Sequence, residues 1–281
     1  MTDGPNAMQA DYWSGPSGMS WIDREQEMDV TFSEITALIL ETAGLAPGEG
    51  VVDIGCGTGA LSLAAAEAVG EGGHVLATDI SAPLLARAAA RAAGYDQVET
   101  LLADAEVADW RGAVFDAAIS RFGVMFFANP PAAFANIARA LKPGGRIVFA
   151  AWGPLAENPW WTIPQRIASA RLGSPPTTPP NVPGPFGLSD ADWALEQLRA
   201  GGLREVGCAL TDIRLAFPGD SEAIAASAAR LGPAMRIISQ FEATDADKAA
   251  IAAAVAAEMK QFDRDGRAFV PARLHLFTAR A

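Results

Sequence analysis

Apolar runs and helical patterns alternate along residues 50–152. Short apolar runs of this kind are typical of strands buried on both faces of a parallel sheet. They occur at 51–55, 74–80, 98–104, 115–122 and 146–152. Helical segments lie between them, and Ser81 and Pro130 stand where two of these helices are expected to begin. The order strand, helix, strand predicts right-handed crossovers and a parallel sheet.

The flanking segments have weaker patterns. Residues 1–30 show little periodicity and predict an irregular arm, which leads into a helix ending near residue 43. A proline-rich stretch at 174–187 predicts an extended loop, and Ser189 is expected to cap a helix that reaches Ala200. The remaining pattern predicts two strands, at 206–217 and 269–281. Between them it predicts two alanine-rich helices, near 220–231 and 244–260.

Composition excludes several classes of protein. The net charge of -12 disfavours a nucleic-acid partner. The two cysteines, Cys56 and Cys208, lie far apart and show no spacing typical of a zinc site, and we expect no disulfide framework. The N-terminus does not resemble a signal peptide, and no apolar run is long enough to span a membrane. We therefore expect a soluble cytoplasmic protein, and a homodimer is compatible with the sequence.

The segment VVDIGCGTGALSLAAA has the order strand, glycine-rich turn, helix. Gly55, Gly57 and Gly59 permit a positive φ and the close approach of a ligand to the backbone. The free N–H groups at the start of the following helix add a positive dipole. Such a loop fits several nucleotide cofactors. However, its GxGxG spacing differs from the GxGxxG of dinucleotide-binding folds, and no P-loop lysine follows.

Two further acidic residues end the next two predicted strands. Asp79 ends the second strand, where a carboxylate can accept hydrogen bonds from a ribose diol. Asp104 ends the third strand, where it could accept a hydrogen bond from an adenine amino group. Because the carboxyl ends of parallel strands meet at one edge of a sheet, we expect both side chains to face the same crevice as the glycine loop.

With these marks in place, the chain resembles the class I methyltransferases. The motifs DIGCGTG, ATDIS, LADAE, FDAAISRFGVMFFANP and LKPGGRIVFAAW carry the resemblance, which covers residues 50–152. They are most similar to the group that includes the ubiquinone and menaquinone biosynthesis enzymes. The resemblance implies a Rossmann-like sheet of seven mostly parallel strands with helices on both faces and an antiparallel last strand. It implies residues 1–45 as a cover over the cofactor site, and a methyltransferase domain at 46–281 with a lid insertion at about 153–200.

The resemblance also implies S-adenosylmethionine as the cofactor and places its contacts. Asp53 and Gly55 would hold the methionine end, while Gly57 and Gly59 would allow close approach. Asp79 would hold the ribose and Ile80 would lie against the adenine, whose edge Asp104 and Ala105 would hold. Ser120, Arg121 and Phe122 would lie near the sulfonium and the acceptor. We interpret the following Phe126 and Phe127 as core residues.

The acceptor site is expected after the fifth strand, in the segment WGPLAENPWW. Trp152, Asn158, Trp160 and Trp161 would give a flat or apolar acceptor broad contact. No catalytic residue is evident, and Arg121 and Glu157 are weak candidates. Neither His74 nor His275 is placed for catalysis, and both are interpreted as structural. Metal dependence is not expected, since Arg121 and Trp152 stand where carboxylate ligands would be needed.

The sequence therefore predicts methyl transfer from S-adenosylmethionine to a small molecule by in-line displacement. A protein that binds the cofactor without catalysis, in regulation or assembly, is the alternative. A nicotinamide oxidoreductase is a third possibility, which the spacing of the glycines weakens.

Overall fold

The computed structural model describes residues 4–110, 114–176, 179–228 and 232–281. Its strands are β1 (Gly50–Ile54), β2 (His74–Asp79), β3 (Val98–Leu102), β4 (Phe115–Arg121), β5 (Leu141–Trp152), β6 (Arg204–Ala216), β7 (Asp263–Arg264) and β8 (Arg267–Arg280). Seven of them lie in the order β3-β2-β1-β4-β5-β8-β6, and the two-residue β7 pairs with β8. Strand β8 is antiparallel to β5, β6 and β7. The predicted seven-stranded sheet is thus confirmed, with β7 as an unpredicted addition.

The order of the strands places the site. From β1 the chain moves outward to β2 and β3, and it then returns to lay β4 on the other side of β1. The direction of travel reverses between β1 and β4, and ligands of open α/β sheets bind at such a switch point, beyond the carboxyl ends of the strands. Right-handed crossovers also put the helices of the two halves on opposite faces.

Twelve α-helices are described. They are α1 (Ala7–Ser14), α2 (Pro16–Asp23), α3 (Glu25–Thr31), α4 (Ser33–Ala43), α5 (Ala60–Val69), α6 (Ala82–Arg91), α7 (Pro130–Ala140), α8 (Pro159–Leu172), α9 (Ala191–Ala200), α10 (Ser221–Ala228), α11 (Gly232–Gln240) and α12 (Asp245–Met259). The predicted cap of α6 is confirmed, because Ser81 Oγ accepts a hydrogen bond from Leu84 N. Two predictions are wrong in detail: Asp190 rather than Ser189 caps α9, and α11 was not predicted.

The prediction of an irregular N-terminal arm is wrong, since α1, α2 and α3 occupy residues 7–31. Gly15 and Pro16 separate the first two helices. A glycine followed by a proline is typical of a loop, which is why the sequence predicted one here. Gly18 has a tertiary function: a Cβ there would lie 1.8 Å from Trp13 O, so only glycine lets α1 and α2 approach so closely. These helices are therefore fixed by packing rather than by a periodic apolar face.

The predicted insertion contains α8, a loop and α9. Helix α8 packs against β8 and against the helices α11 and α12. His275 on β8 is buried and ties the loop to the sheet, because its Nε2 donates a hydrogen bond to Ser189 O at 3.0 Å. Its Nδ1 lies 3.3 Å from Cys208 Sγ. The structural interpretation of His275 agrees with these contacts.

Candidate functional site

A cavity opens at the carboxyl ends of β1, β2, β3 and β4, with an empty volume of about 940 Å³ that includes its open mouth. Predicted site residues in its wall are Asp53, Gly55, Gly57, Asp79, Ile80, Asp104, Ala105, Arg121 and Phe122. The structure therefore brings together side chains from all four strand ends that the sequence marked. Gly59 and Ser120 do not line it.

The glycines of the loop have different functions. Gly55 has a φ of +69°, and a Cβ there would lie 2.7 Å from Gly123 Cα, so the loops after β1 and β4 touch through their backbones. Gly59 directly precedes α5 and packs against α6, where a Cβ would lie 3.1 Å from Ala88 Cβ. For Gly59 the structure indicates a packing requirement rather than contact with a ligand.

Asp53 places a carboxylate at the floor of the cavity. Its Oδ2 accepts a hydrogen bond from Ser62 Oγ at 2.6 Å, whereas its Oδ1 is buried and has no hydrogen-bond partner. Burial raises the pKa of Asp53 to about 7, although the hydrogen bond from Ser62 opposes the rise. A buried acceptor without a donor is costly, so this oxygen is suited to a ligand that brings an N–H or ammonium group.

Asp79 is held rigidly at the end of β2. Its Oδ2 accepts a hydrogen bond from Gly57 N and its Oδ1 accepts one from Ser81 N, both at 2.8 Å. Burial raises its pKa, and these backbone bonds oppose the rise. The carboxylate thus links the glycine loop to the cap of α6, and each oxygen retains a further lone pair for a ligand.

Asp104 is bonded by a residue that the sequence analysis did not identify. Asn6, just before α1, donates from Nδ2 to both Asp104 oxygens, at 3.0 and 3.2 Å, and to Glu106 Oε2 at 3.0 Å. Its Oδ1 accepts a hydrogen bond from Ala128 N. Asn6 is 4% exposed and lines the cavity, so it fastens the start of α1 over the third strand end.

The three predicted residues at the end of β4 have different surroundings from one another. Ser120 is buried and donates from Oγ to Ile54 O at 2.7 Å, which ties β4 to β1. Arg121 lines the cavity and donates from Nη1 to Thr36 Oγ1 at 2.8 Å. Phe122 has a φ of +71°, an uncommon conformation for a bulky residue. Its ring borders the cavity and stacks on Trp152 with centroids 4.7 Å apart.

Aromatic rings form one side of the cavity. Trp13 and Trp21 come from α1 and α2, and Phe126 and Phe127 follow β4. The Trp13 and Phe126 rings meet edge to face at 5.3 Å. The interpretation of Phe126 and Phe127 as core residues agrees with the structure, because Phe127 is buried against Phe134 and Phe126 packs against the same core, although both rings also border the cavity. We call Trp13, Trp21, Phe122 and Phe126 the aromatic wall.

The four predicted acceptor-binding residues lie outside the cavity lining. Trp160 and Trp161 are buried in α8, and Trp160 packs against Trp152 and other rings of the core. Asn158 is fully buried, and it donates to Pro154 O and Arg273 O while it accepts from Arg273 N. The structure gives all four a packing or backbone-bonding function. Their contact with an acceptor stays a prediction, because none of the four side chains lines the cavity.

Glu157, the other weak catalytic candidate, also lies outside the lining. It forms an ion pair with Arg273 at 2.5 Å on the surface, where its side chain is 37% exposed. His74 is exposed at the opposite end of β2, 3.9 Å from Glu99. In the described part of the chain, no three histidine, cysteine or acidic side chains lie close enough together to hold a metal ion.

Comparisons with known proteins identify the family. Residues 51–145 match a family described as a methyltransferase domain. Over 199 residues the chain is 31% identical to nocamycin O-methyltransferase of Saccharothrix syringae, with 66% of this chain and 70% of that relative covered. The chain belongs to the class I S-adenosylmethionine-dependent methyltransferases.

Other members of the family are similar over shorter or more divergent stretches. Demethylmenaquinone methyltransferase of Clavibacter sepedonicus is 38% identical over 112 residues, or 39% of this chain and 44% of that enzyme. The structure of phosphoethanolamine N-methyltransferase 2 of Haemonchus contortus with S-adenosyl-L-methionine has a TM-score of 0.54 and 18% identity, covering 88% of this chain and 52% of that chain. This last likeness shows the shared fold, and the chain spans about half of that protein.

The methyltransferase cavity fits S-adenosylmethionine, the cofactor of this family. The unpartnered Asp53 Oδ1 can accept from the ammonium of the methionine end. Gly55 and Gly57 leave the backbone open beside it, and Ile80 and Ala105 offer apolar surface for a purine. The contacts assigned to individual residues stay a prediction.

Among the described helices, none combines the length and the apolar character needed to cross a membrane.

Proposed function

We propose that this methyltransferase methylates a small aromatic or otherwise apolar molecule. The aromatic wall carries the proposal, because Trp13, Trp21, Phe122 and Phe126 line the same cavity as the acidic strand ends. Aromatic rings bind flat apolar molecules through broad contact at little cost in conformational entropy. An acceptor lying on this wall would share one enclosed space with the cofactor.

The N-terminal helices are proposed to cover this space. Ser81 Oγ donates to Trp13 O at 2.8 Å, and Asn6 holds the start of α1 on Asp104. In α3, Glu25 pairs with Arg87 of α6. These bonds hold the three helices α1, α2 and α3 over the mouth of the cavity. In this position the helices would exclude water from the reacting groups.

When bound, the cofactor supplies a methyl group on a sulfonium, which the acceptor's nucleophile displaces in line. The protein's own contribution is alignment and a dry environment. As far as the described residues show, the lining contains no histidine, lysine or tyrosine. We therefore propose an acceptor that is nucleophilic without a strong base, such as a phenolate, an enolate or an amine. We also propose that the reaction needs no metal ion.

Incubation with methyl-labelled cofactor and a panel of phenols, quinols and amines tests this proposal. We expect transfer to one class of acceptor, with a rate that a metal chelator does not change. Phe126→Leu should raise the KM for the acceptor and leave cofactor binding intact. Phe241→Leu is the matched control, because Phe241 is 39% exposed and lies outside the cavity lining. Cofactor binding without transfer to any acceptor would favour the non-catalytic alternative.

A further inference from the structure

Arg121 is a cation in the cavity wall that lacks an anionic partner. It is the last residue of β4, and no ion pair among the described residues includes it. A guanidinium carries five N–H donors. Only one hydrogen bond from this guanidinium is formed within the described chain, from Nη1 to Thr36 Oγ1. Its remaining donors are therefore available on the side of the cavity.

Helix α4 and its cap hold the guanidinium in place. The Arg121 Cζ lies 5.6 Å from the centroid of the Phe32 ring, within the range of a cation–π contact. Together with the bond to Thr36, this contact fixes the orientation of the group before a ligand arrives. Burial lowers the pKa of Arg121, whereas the charges of Asp29 and Asp53 oppose the decrease. Asp29 is already paired with Arg91, at 2.6 Å.

Asp53 and Arg121 share one face of the sheet. Asp53 is opposite Ile119 in the parallel ladder, and Arg121 follows Ile119 by two positions, so the two side chains leave the sheet on the same side. Both line the cavity, and Asp53 Oδ1 has no partner. This end of the cavity thus presents a free acceptor beside a planar set of free donors.

We propose that Arg121 binds the carboxylate of a ligand in this cavity. The planar fork of a guanidinium matches the two oxygens of a carboxylate, and a desolvated cation gains most from such a partner. The inference rests on the proposed function and deepens it. Two ligands share this chemistry: the amino-acid end of the cofactor, whose ammonium would lie on Asp53, and an acceptor that carries an acidic group.

Calorimetry with two nucleosides separates the cofactor from the acceptor. S-adenosylhomocysteine carries the amino-acid end, and 5′-methylthioadenosine lacks it. If Arg121 binds the cofactor's carboxylate, Arg121→Gln weakens S-adenosylhomocysteine binding about 10- to 100-fold and leaves 5′-methylthioadenosine binding unchanged. Unchanged binding of the truncated ligand also shows that the variant is folded.

Benzoate and benzyl alcohol test the acceptor in protein saturated with S-adenosylhomocysteine. If Arg121 binds an acidic acceptor, wild type binds benzoate more tightly than benzyl alcohol, and Arg121→Gln loses this preference while its nucleoside affinities stay at the wild-type level. Arg121→Lys keeps the charge without the fork, so its affinity for the relevant carboxylate should be intermediate. If Arg121→Gln does not fold, Arg121→Lys takes its place in the same measurements.

Arg171→Gln is the matched control, because Arg171 pairs with Asp247 on the surface. It should leave all four affinities unchanged. Equal affinities in wild type and Arg121→Gln for S-adenosylhomocysteine, with no dependence of benzoate binding on Arg121, would overturn the inference. A parallel loss of both nucleosides would also overturn it, because Arg121 would then support the pocket as a whole. A failure of methyl transfer alone would affect only the proposed function.

Discussion

The titration of Asp53 should control cofactor affinity near neutral pH. Its Oδ1 has no partner in the chain, and burial raises its pKa to about 7. An ammonium group on the ligand interacts favourably with the ionised carboxylate and not with the protonated one. Affinity for S-adenosylhomocysteine is therefore expected to increase as the pH rises through 7.

The size of the effect follows from this pKa. With a value of about 7, the ionised fraction is roughly 0.09 at pH 6 and roughly 0.91 at pH 8, so affinity should rise about tenfold between them. Asp53→Asn removes the charge, and its affinity at pH 8 should be about 10- to 100-fold below that of wild type. Binding at pH 7 should also release about half a proton, because the ligand favours ionisation.

Titration calorimetry across pH 6–8, in two buffers of different ionisation enthalpy, measures both quantities. The same series with Asp53→Asn corrects for titration of the ligand itself. Ser62→Ala provides a second test, because loss of the hydrogen bond to Oδ2 should raise the pKa of Asp53 and move the midpoint to higher pH. A wild-type affinity that is independent of pH, or that matches the asparagine variant at pH 8, would refute the reasoning.

The apo protein offers an independent check. The folded-state pKa of Asp53 lies above its unfolded value of about 3.9, so the folded state binds the proton more tightly. Relative to Asp53→Asn, wild type should therefore lose stability as the pH rises from about 4 to about 7 and change no further above that. Thermal melts of the two proteins across this range measure the difference.

Three further predictions concern the surroundings of the site. Trp160→Ala should destabilise the fold by about 3–5 kcal/mol in denaturant titrations, because the ring is buried among aromatic side chains; a stable variant that loses only turnover would instead support the lid interpretation. Gly123→Ala should abolish S-adenosylhomocysteine binding in calorimetry, since its Cβ would lie 2.4 Å from Ile54 O; wild-type affinity would contradict the close approach of the two loops. Asn6→Asp places a carboxylate against Asp104, and limited proteolysis should cleave the N-terminal segment faster than in wild type, whereas equal rates would show that this contact does not hold α1.

The glycine loop and the strand ends could be predicted from the sequence because their physics is local. A strand buried on both faces must be a continuous apolar run, and a strand followed by a glycine turn must place its last side chains at the crevice. Asp53, Asp79 and Asp104 therefore came together in the cavity as their positions indicated. The antiparallel last strand came from the resemblance rather than from the pattern.

The N-terminal segment and the tryptophans of α8 could not be predicted in the same way. Short helices broken by Gly15 and Pro16 have no period of their own, and packing together with hydrogen bonds to distant segments stabilises them. Trp160 and Trp161 would show the same sequence pattern in a lid or in a core. Burial depends on which segments are neighbours in space, and residue type alone does not give that.

By itself, the sequence determined the parallel sheet, the glycine loop and the acidic strand ends, since each follows from backbone sterics and from burial along a few consecutive residues. Only the tertiary structure decided that Asn6 bonds Asp104 across 98 positions of the chain, that Arg121 lies beside Asp53 without an anionic partner among the described residues, and that Gly55 is needed for contact with a second loop. These features depend on distances between segments far apart in the chain, and a local pattern carries no information about such distances.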